Sequence, residues 1–408
     1  VIEPTSPLQI RDYRFFWLSR FTSVVGTTGM VVAIGYQLYD VARSDYGMAI
    51  PQAAFLLGVL GLAQFLPLLL LTPIAGVVAD RFERRTVGRL AMSIDLVIAV
   101  ILAIATATDR LSLPLLFTIA AMHGAARVFV GPALSSIAPN IVPARLMPRA
   151  IAFNSIAWQA GSVVGPAMGG FLFAANAALP YAVAAVLLAL SCLSLTMIRR
   201  LPPPEGNRSA SAVRQIVDGF RYVWNERFLL GCVSLDLFAV LLGGATALLP
   251  VFARDILHVG PEGLGQMRAA PAFGAAVVAL WLSWKPLEKN VGAKMLWGVA
   301  AYGGATLAFG LSRWLPASLL FLALLGAADM VSVFIRSSLV QLNTPDEVRG
   351  RVSAISGLAV SASNELGEMQ SGVAAALFGV TGAVVFGGLG AIGITLLWAV
   401  LFPDSRPN

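Results

Sequence analysis

The chain is written twice. Residues 127–170 and 329–372 carry one pattern half a chain length apart in 408 residues: Ser135-Ser136 returns as Ser337-Ser338, Pro143 as Pro345, Arg149 as Arg351, Gly165 as Gly367 and Gly170 as Gly372. A tandem repeat at that offset demands two similar halves. Each half is also too apolar for water. The chain is 58% hydrophobic and 12% charged, with a mean hydropathy of +0.80, whereas soluble domains carry about 25% charged residues. The bilayer therefore replaces most of a conventional core.

A membrane-crossing helix needs roughly 20 apolar residues. In the first half such stretches are predicted near 15–40, 51–78, 87–107, 112–138, 150–175 and 178–198. In the second half they fall near 228–252, 263–284, 293–312, 316–342, 351–377 and 380–402. This reads as an all-α membrane protein with twelve transmembrane helices in two pseudo-symmetric six-helix bundles, 1–200 and 228–408, joined by a linker at 201–227. Repeated halves in a membrane protein point to transport. An even number of spans puts both termini on one side. Lys and Arg crowd one set of loops, while the opposite set holds Arg43, Arg110, Arg254, Arg268 and Arg313. The positive-inside bias then places both termini and the linker in the cytoplasm, with the spans in the cytoplasmic (inner) membrane.

The linker starts at Pro202-Pro203-Pro204, which stops the sixth helix because proline cannot continue the hydrogen-bond ladder. Beyond it Val213, Ile216, Val217, Phe220 and Trp224 recur at helical spacing, with Arg214, Asp218 and Arg221 between them. Two readings stand: an amphipathic helix on the membrane surface, or a solvated linker packed on the bundle. Asn207-Arg208-Ser209 matches a glycosylation acceptor that has no meaning on the cytoplasmic side.

Several other functions are excluded. The net charge of +7 sits between apolar segments and reports topology, not a nucleic-acid face. Cys192 and Cys232 lie in apolar runs, so neither a disulfide nor a metal site is expected. The polar N-terminal segment lacks a cleavable signal pattern, and the first apolar helix is expected to serve as the insertion signal. Gly388-Leu-Gly390-Ala-Ile-Gly393 matches a dinucleotide fingerprint as a string but lies inside an apolar helix, where it means close packing. No Walker-type loop is present, and His123 and His258 form no nucleophile-base set. No cofactor, metal or enzymatic activity is expected, and the chain is read as a monomer.

The loop after the second helix reads Gly76-Val-Val-Ala-Asp80-Arg81-Phe-Glu-Arg84-Arg85. Together with the two halves and the long linker, it resembles the signature loop of the major facilitator superfamily. Gly76 lets helices approach, and Asp80 can pair with an arginine or cap a neighbouring helix. The resemblance implies a conformational switch made of Gly76, Asp80, Arg81, Arg84 and Arg85; a plainer reading leaves the arginines to enforce topology. The matching second-half loop, Trp284 to Gly292, lacks the acid–arginine pair, so the switch is expected to be asymmetric. In the fifth span, Gly161-Ser-Val-Val-Gly165-Pro166-Ala-Met-Gly169-Gly170 resembles the superfamily's antiporter motif; generic small-residue packing is the alternative. Leu18-Ser-Arg20-Phe21, Ala79 to Arg84, Pro202-Pro-Pro, Gly219-Phe-Arg, Thr344-Pro345 to Arg351 and Asn364-Glu365-Leu-Gly367 resemble the drug:proton antiporter branch of enterobactin-exporter-like and macrolide efflux proteins over nearly the whole chain.

Charges inside spans are the functional candidates, because one at a helix centre costs about 2.5–3.5 kcal/mol and needs a partner, a wet cavity or a task. They are Arg20, Asp95, His123, Arg127, Asp236, Asp329, Arg336, Glu365 and Glu368. Asp329 and Glu365 fall near mid-span, and the repeat maps Arg127 onto Asp329. Helices 1, 4, 7 and 10 line the cavity in the resembled family, which implies that Arg127 and Asp329 face each other there. Arg20, Asp95, Asp236 and Arg336 form a second polar layer. Asp329, Glu365, Glu368 and Asp236 are the proton-coupling candidates, with Arg127, Arg336, Arg20 and Asp95 as their charge partners. Permanent interhelical bridges are the competing reading, with Asp95 or Asp236 as partner of Arg20. Tyr36, Gln37, His123, Asn154, Trp158 and Asn364 are the cavity candidates, although a lone histidine in a helix is usually just hydrogen-bonded. The expected activity is proton-coupled export of an amphipathic small molecule, a siderophore or a drug, across the membrane by alternating access, with protons and membrane lipids as the other partners and no nucleic acid. A lipid or lysophospholipid flippase and a non-transporting sensor on the same fold are the alternatives.

Overall fold

The computed structural model describes residues 4–135, 137–201, 220–284, 291–343 and 346–401. Among these residues every regular element is helical. The first half forms α1 (Arg11–Ser44), α2 (Ile50–Arg81), α3 (Arg84–Ala107), α4 (Leu113–Ser135), α5 (Met147–Ala175) and α6 (Leu179–Met197). The second forms α7 (Arg227–Leu242), α8 (Gly260–Trp284), α9 (Val291–Leu311) and α10 (Leu315–Asn343). The segment Asp346–Leu401 is broken at Gly379, whose φ of 74° is a left-handed geometry that glycine adopts without steric cost. It thus supplies α11 (346–378) and α12 (380–401). Among the described residues each of the twelve expected spans holds a helix, the seventh a shortened one, and most extend past an expected end. At 34 residues, α1 is about 50 Å long against a hydrocarbon core of about 30 Å.

The one span whose form departs from expectation is the seventh. A continuous helix to residue 252 is expected, but α7 stops at Leu242 and gives way to a 3₁₀ turn (Ala245–Leu248), a short turn (Leu249–Val251) and a π-turn (Phe252–Ile256). Gly243-Gly244 favours the break, because glycine weakens a helix interior. The linker's Val213, Ile216 and Val217 lie outside the described residues. The segment 220–225 is helical; Val223 is buried against Leu229, Val233 and Val352, while Phe220 and Trp224 are exposed and stack with centroids 5.7 Å apart.

Individual helices carry two apolar faces. In α3 the buried face is Val87, Ala91, Asp95, Ile98, Leu102 and Ala105, and the exposed face is Leu90, Ile94, Val97, Ile101 and Ile104. Both repeat at three- and four-residue steps. An apolar outer face belongs against lipid, where backbone groups must be satisfied within the helix itself.

Two compact units result. The first takes the described residues of Val1–Leu38, Leu66–Ser209 and Gly260–Ala269; the second takes those of Tyr39–Phe65, Ala210–Val259 and Ala270–Asn408. The units cut across the repeat in three helices: the end of α1 and the start of α2 group with the second half, and the start of α8 with the first. In the first unit the α5 motif meets α1 almost backbone to backbone. A Cβ on Gly161 would lie 2.7 Å from Val24 Cγ1, one on Gly165 2.7 Å from the Val25 carbonyl, and one on Gly169 2.6 Å from the Gly29 carbonyl. Gly170 meets α8 instead, its Cβ position falling 2.7 Å from Gly265 Cα. Tyr13 anchors the same pair of helices by donating to the Ala150 carbonyl at 2.7 Å.

The second unit uses the same device where α2 meets α11: a Cβ on Gly372 would lie 2.8 Å from Gly58 Cα. It also contains a buried ion pair. Arg336 of α10 donates to Asp236 of α7, and Ser332 donates to the other carboxylate oxygen at 2.8 Å. Asp329, Ser332 and Arg336 share one face of α10 by their spacing. At the C-terminal end of α1, Asp40 pairs with Arg254 at 2.8 Å, and Tyr39 donates to Asp255 at 2.5 Å.

Two predictions follow from this packing. Gly169→Leu forces α1 from α5 and is expected to cost about 1–3 kcal/mol, read as a lower melting temperature in detergent. Gly357→Ala, where an added Cβ meets nothing within 4 Å, should leave stability equal or slightly higher. Asp236→Asn removes the buried charge opposite Arg336 and is expected to cost about 3–5 kcal/mol, whereas replacing both Asp236 and Arg336 by apolar residues of similar size should recover most of that loss.

Candidate functional site

The first unit encloses a cavity of about 320 Å³, inside the usual range for small-molecule sites. Its wall on α1 is Arg20, Ser23, Val24, Thr27, Thr28 and Val31, a stripe at steps of three and four residues that winds along one face. From α3 come Met92 and Asp95, from α4 His123, Arg127 and Val130, and from α5 Trp158 and Pro166. Leu188 of α6 and Arg268 of α8 complete it.

The charges in this cavity are unequal. His123 and Asp95 are both buried and share a hydrogen bond of 2.8 Å between Nδ1 and Oδ1. That pairing corrects the expectation of Asp95 or Asp236 as the partner of Arg20, since Asp236 is held by Arg336. Arg20 instead lies over the Trp158 ring, 5.0 Å from its centroid, and its buried Nε has no hydrogen-bond partner among the described residues. Arg20, Arg127 and Arg268 thus line one site together with Asp95, which faces His123. A guanidinium offers a planar fork of donors suited to carboxylates, phosphates and other paired oxygens. Trp158 and the α1 valines supply apolar surface beside them.

Arg268 is a correction of a second kind. The sequence reading leaves it in a loop; it lies two turns inside α8 and lines the cavity. Its position, just past the expected start of the eighth span, hides it from a reading based on apolar runs.

The other cavity candidates sit apart. Gln37 is buried and accepts from Tyr181 Oη at 2.6 Å while donating to Thr106 at 3.2 Å. Tyr36 packs edge-on against Phe173 with centroids 5.3 Å apart. Neither lines the cavity, because both point into helix contacts. Asn154 precedes Trp158 by one turn of α5 and keeps a buried Oδ1 without a hydrogen-bond partner among the described residues. Asn364 is exposed on α11.

The coupling candidates belong to the second unit and Arg127 to the first. Asp329 is the central residue of α10. It lines a void of about 10 Å³ with Asp236, Tyr302 and Ser332, a volume near the minimum for one water. The two acids therefore share one void, where the sequence reading assigns them to separate layers. Glu365 is buried on α11, and Glu368 packs against α2, its Cβ 2.8 Å from where a Cβ on Gly61 would stand.

In the α2–α3 loop, Gly76 and Asp80 fall within the last turns of α2, and the side chain of Asp80 lies outside the described residues. Arg81 is exposed. Arg85 donates to the Ile198 carbonyl at the end of α6 and pairs with Glu83 at 3.2 Å. Glu83 also accepts from the Leu201 backbone N–H at 3.2 Å and from Thr86 at 2.9 Å. Partial burial raises the Glu83 carboxyl, but these hydrogen bonds and the nearby Arg85 and Arg200 outweigh it and leave the group below its usual range. A depressed carboxyl stabilises the fold at neutral pH and loses that contribution as pH falls through its own range. The loop is therefore clamped to the end of α6 by Glu83 and Arg85, and Glu83 is absent from the expected switch set.

Comparisons with known proteins agree with this architecture. Curated relatives include the enterobactin exporter EntS of Citrobacter koseri, 27% identical over 92% of this chain and 90% of its own length. The protein of the same name from Escherichia coli is 27% identical over 93% of this chain and 85% of its own length. A solved bacterial homologue of the human lysosomal transporter Spinster superposes with a TM-score of 0.74 at 15% identity, covering 98% of each chain. A D-xylose–proton symporter superposes at 0.73 and 15% identity, over 97% of this chain and 98% of its own. The model of a family described as transmembrane secretion effectors matches residues 2–404, so the chain belongs to that family of the major facilitator superfamily and is a multi-pass membrane transporter, not an enzyme.

Proposed function

We propose that the chain is a proton-coupled exporter of an amphipathic, anionic small molecule across the cytoplasmic (inner) membrane, working by alternating access. The observation that carries this reading is the cavity of the first unit, where Arg20, Arg127 and Arg268 stand beside Trp158 and apolar α1 side chains. Cations in hydrocarbon are costly unless they serve a wet site. Three guanidinium forks lining one pocket beside the Trp158 ring favour a ligand with carboxylate, phosphate or phenolate oxygens and an aromatic or aliphatic body. Relatives named as enterobactin exporters make a siderophore the first ligand to test. The Lys and Arg bias of the loops supports both termini in the cytoplasm.

Protons enter the reading through the second unit. Asp236 is committed to Arg336 and Ser332, which leaves Asp329 and Glu365, with Glu368 beside it, as the exchanging carboxylates. Protonation removes a buried charge and loosens the contacts it makes, so inward proton movement drives outward release. The glycine contacts of Gly161, Gly165, Gly169 and Gly170, and the loop of Gly76, Asp80, Arg81, Arg84 and Arg85, are the elements proposed to rearrange.

Two predictions test this. In proteoliposomes with an imposed pH gradient, Asp329→Asn and Glu365→Gln are expected to lose gradient-driven transport while still binding substrate. Wild-type rates in both would overturn the coupling. Binding titrations with a catecholate siderophore, an anionic dye, a macrolide and a cationic dye should favour the anions. Arg20→Gln and Arg268→Gln should each weaken anion binding roughly 10- to 100-fold, the equivalent of a charged hydrogen bond of about 1.5–3 kcal/mol. A preference of the wild type for the cationic dye would sink the anion assignment, and phospholipid flipping without a pH gradient would assign a flippase instead.

A further inference from the structure

A second concavity lies in the second unit, between α8, α9 and α10, with a volume of about 730 Å³. Its α9 wall is made of small residues: Gly298, Ala301, Gly304, Ala305 and Ala308. Larger apolar side chains, Val278, Phe321, Leu324 and Val331, form the flanks. Its one charged lining residue among those described is Lys294, in the first turn of α9. Trp281 and Trp297 line the same end and are 51% and 75% exposed.

We propose that this groove is a binding site for one anionic glycerophospholipid, with an acyl chain along the small-residue wall and the phosphate at Lys294. Three observations select that occupant. Lysine and tryptophan are side chains of the membrane interface, so their end of the groove belongs at headgroup level and the rest in hydrocarbon. From Lys294 to Ala308 the groove runs about 20 Å along α9, enough for one acyl chain to cross a leaflet of about 15 Å. Lys294 supplies the complementary charge, a compact ammonium suited to a phosphate as a point charge. The site is separate from the arginine-lined cavity, and its assignment does not depend on which substrate or ion the transporter carries.

Native mass spectrometry of the full-length protein in mild detergent tests the proposal, with phosphatidylglycerol and phosphatidylethanolamine of equal chain length added in turn. The wild type should retain one phosphatidylglycerol per chain in preference to phosphatidylethanolamine. Lys294→Gln should lower phosphatidylglycerol retention about five-fold, the share of one basic residue at an anionic surface, and leave phosphatidylethanolamine unchanged. A Cβ at Gly304 meets nothing within 4 Å, so Gly304→Leu fills the groove without displacing a helix. It should lower retention of both lipids more than ten-fold at an unchanged melting temperature. Ala301→Leu, also exposed to the groove, repeats that measurement if Gly304→Leu lowers stability. Equal retention of the two lipids by the wild type, or unchanged phosphatidylglycerol retention in the Lys294 and groove-filling variants, would overturn the assignment. So would a dimer that the groove-filling variants abolish.

Discussion

A charge inside hydrocarbon must be answered, and the polar structure of this protein is a set of answers. Asp236 meets Arg336 and Ser332, and Asp95 meets His123. Arg20 meets the face of Trp158, which lowers the cost of the cation without cancelling it. The unequal outcome separates the two units chemically. The first holds an arginine-lined pocket of useful size, and the second a tightly bonded ion pair beside a void that could hold one water.

Glycine makes these arrangements possible by letting helices approach until backbones touch. Without a hydrophobic driving force between helices in lipid, close van der Waals contact supplies much of their association. The α5 glycines bring α1 and α8 against one helix, and α1 and α8 carry Arg20 and Arg268. The motif expected to mark an antiporter is therefore also the scaffold that sets the spacing of two arginines. Packing and site are one construction in the first unit.

The number and order of spans were legible because about twenty apolar residues between polar loops has little other use, and the halves announced themselves through positions such as Gly165 and Gly367. The charged residues themselves were legible for the same reason. Their partners were not, because pairing depends on helix rotation, which a strongly apolar span conceals: with both faces of α3 apolar, nothing in its pattern says that Asp95 turns toward His123. Arg268 was missed because it stands at the edge of an apolar run, where a helix end and a loop look alike. Gln37 and Tyr36 were drawn toward the cavity by polarity alone, whereas Tyr181 and Phe173 hold them in helix contacts. Glu83 was overshadowed by the arginines around it.

The interruption of α7 has a cause beyond its own sequence. A Cβ placed on Gly244 would stand 2.7 Å from the Gly367 carbonyl carbon of α11, and one on Gly243 2.9 Å from the hydroxyl of Tyr302 on α9. That same hydroxyl donates to the Gly243 carbonyl at 3.0 Å, so the carbonyl freed by the break is already claimed by a neighbouring helix. Restoring helix-forming residues there would not splice α7 back together; it would wedge α9 and α11 outward. The broken rod is a joint owned by three helices, and its geometry is inherited only when all three are.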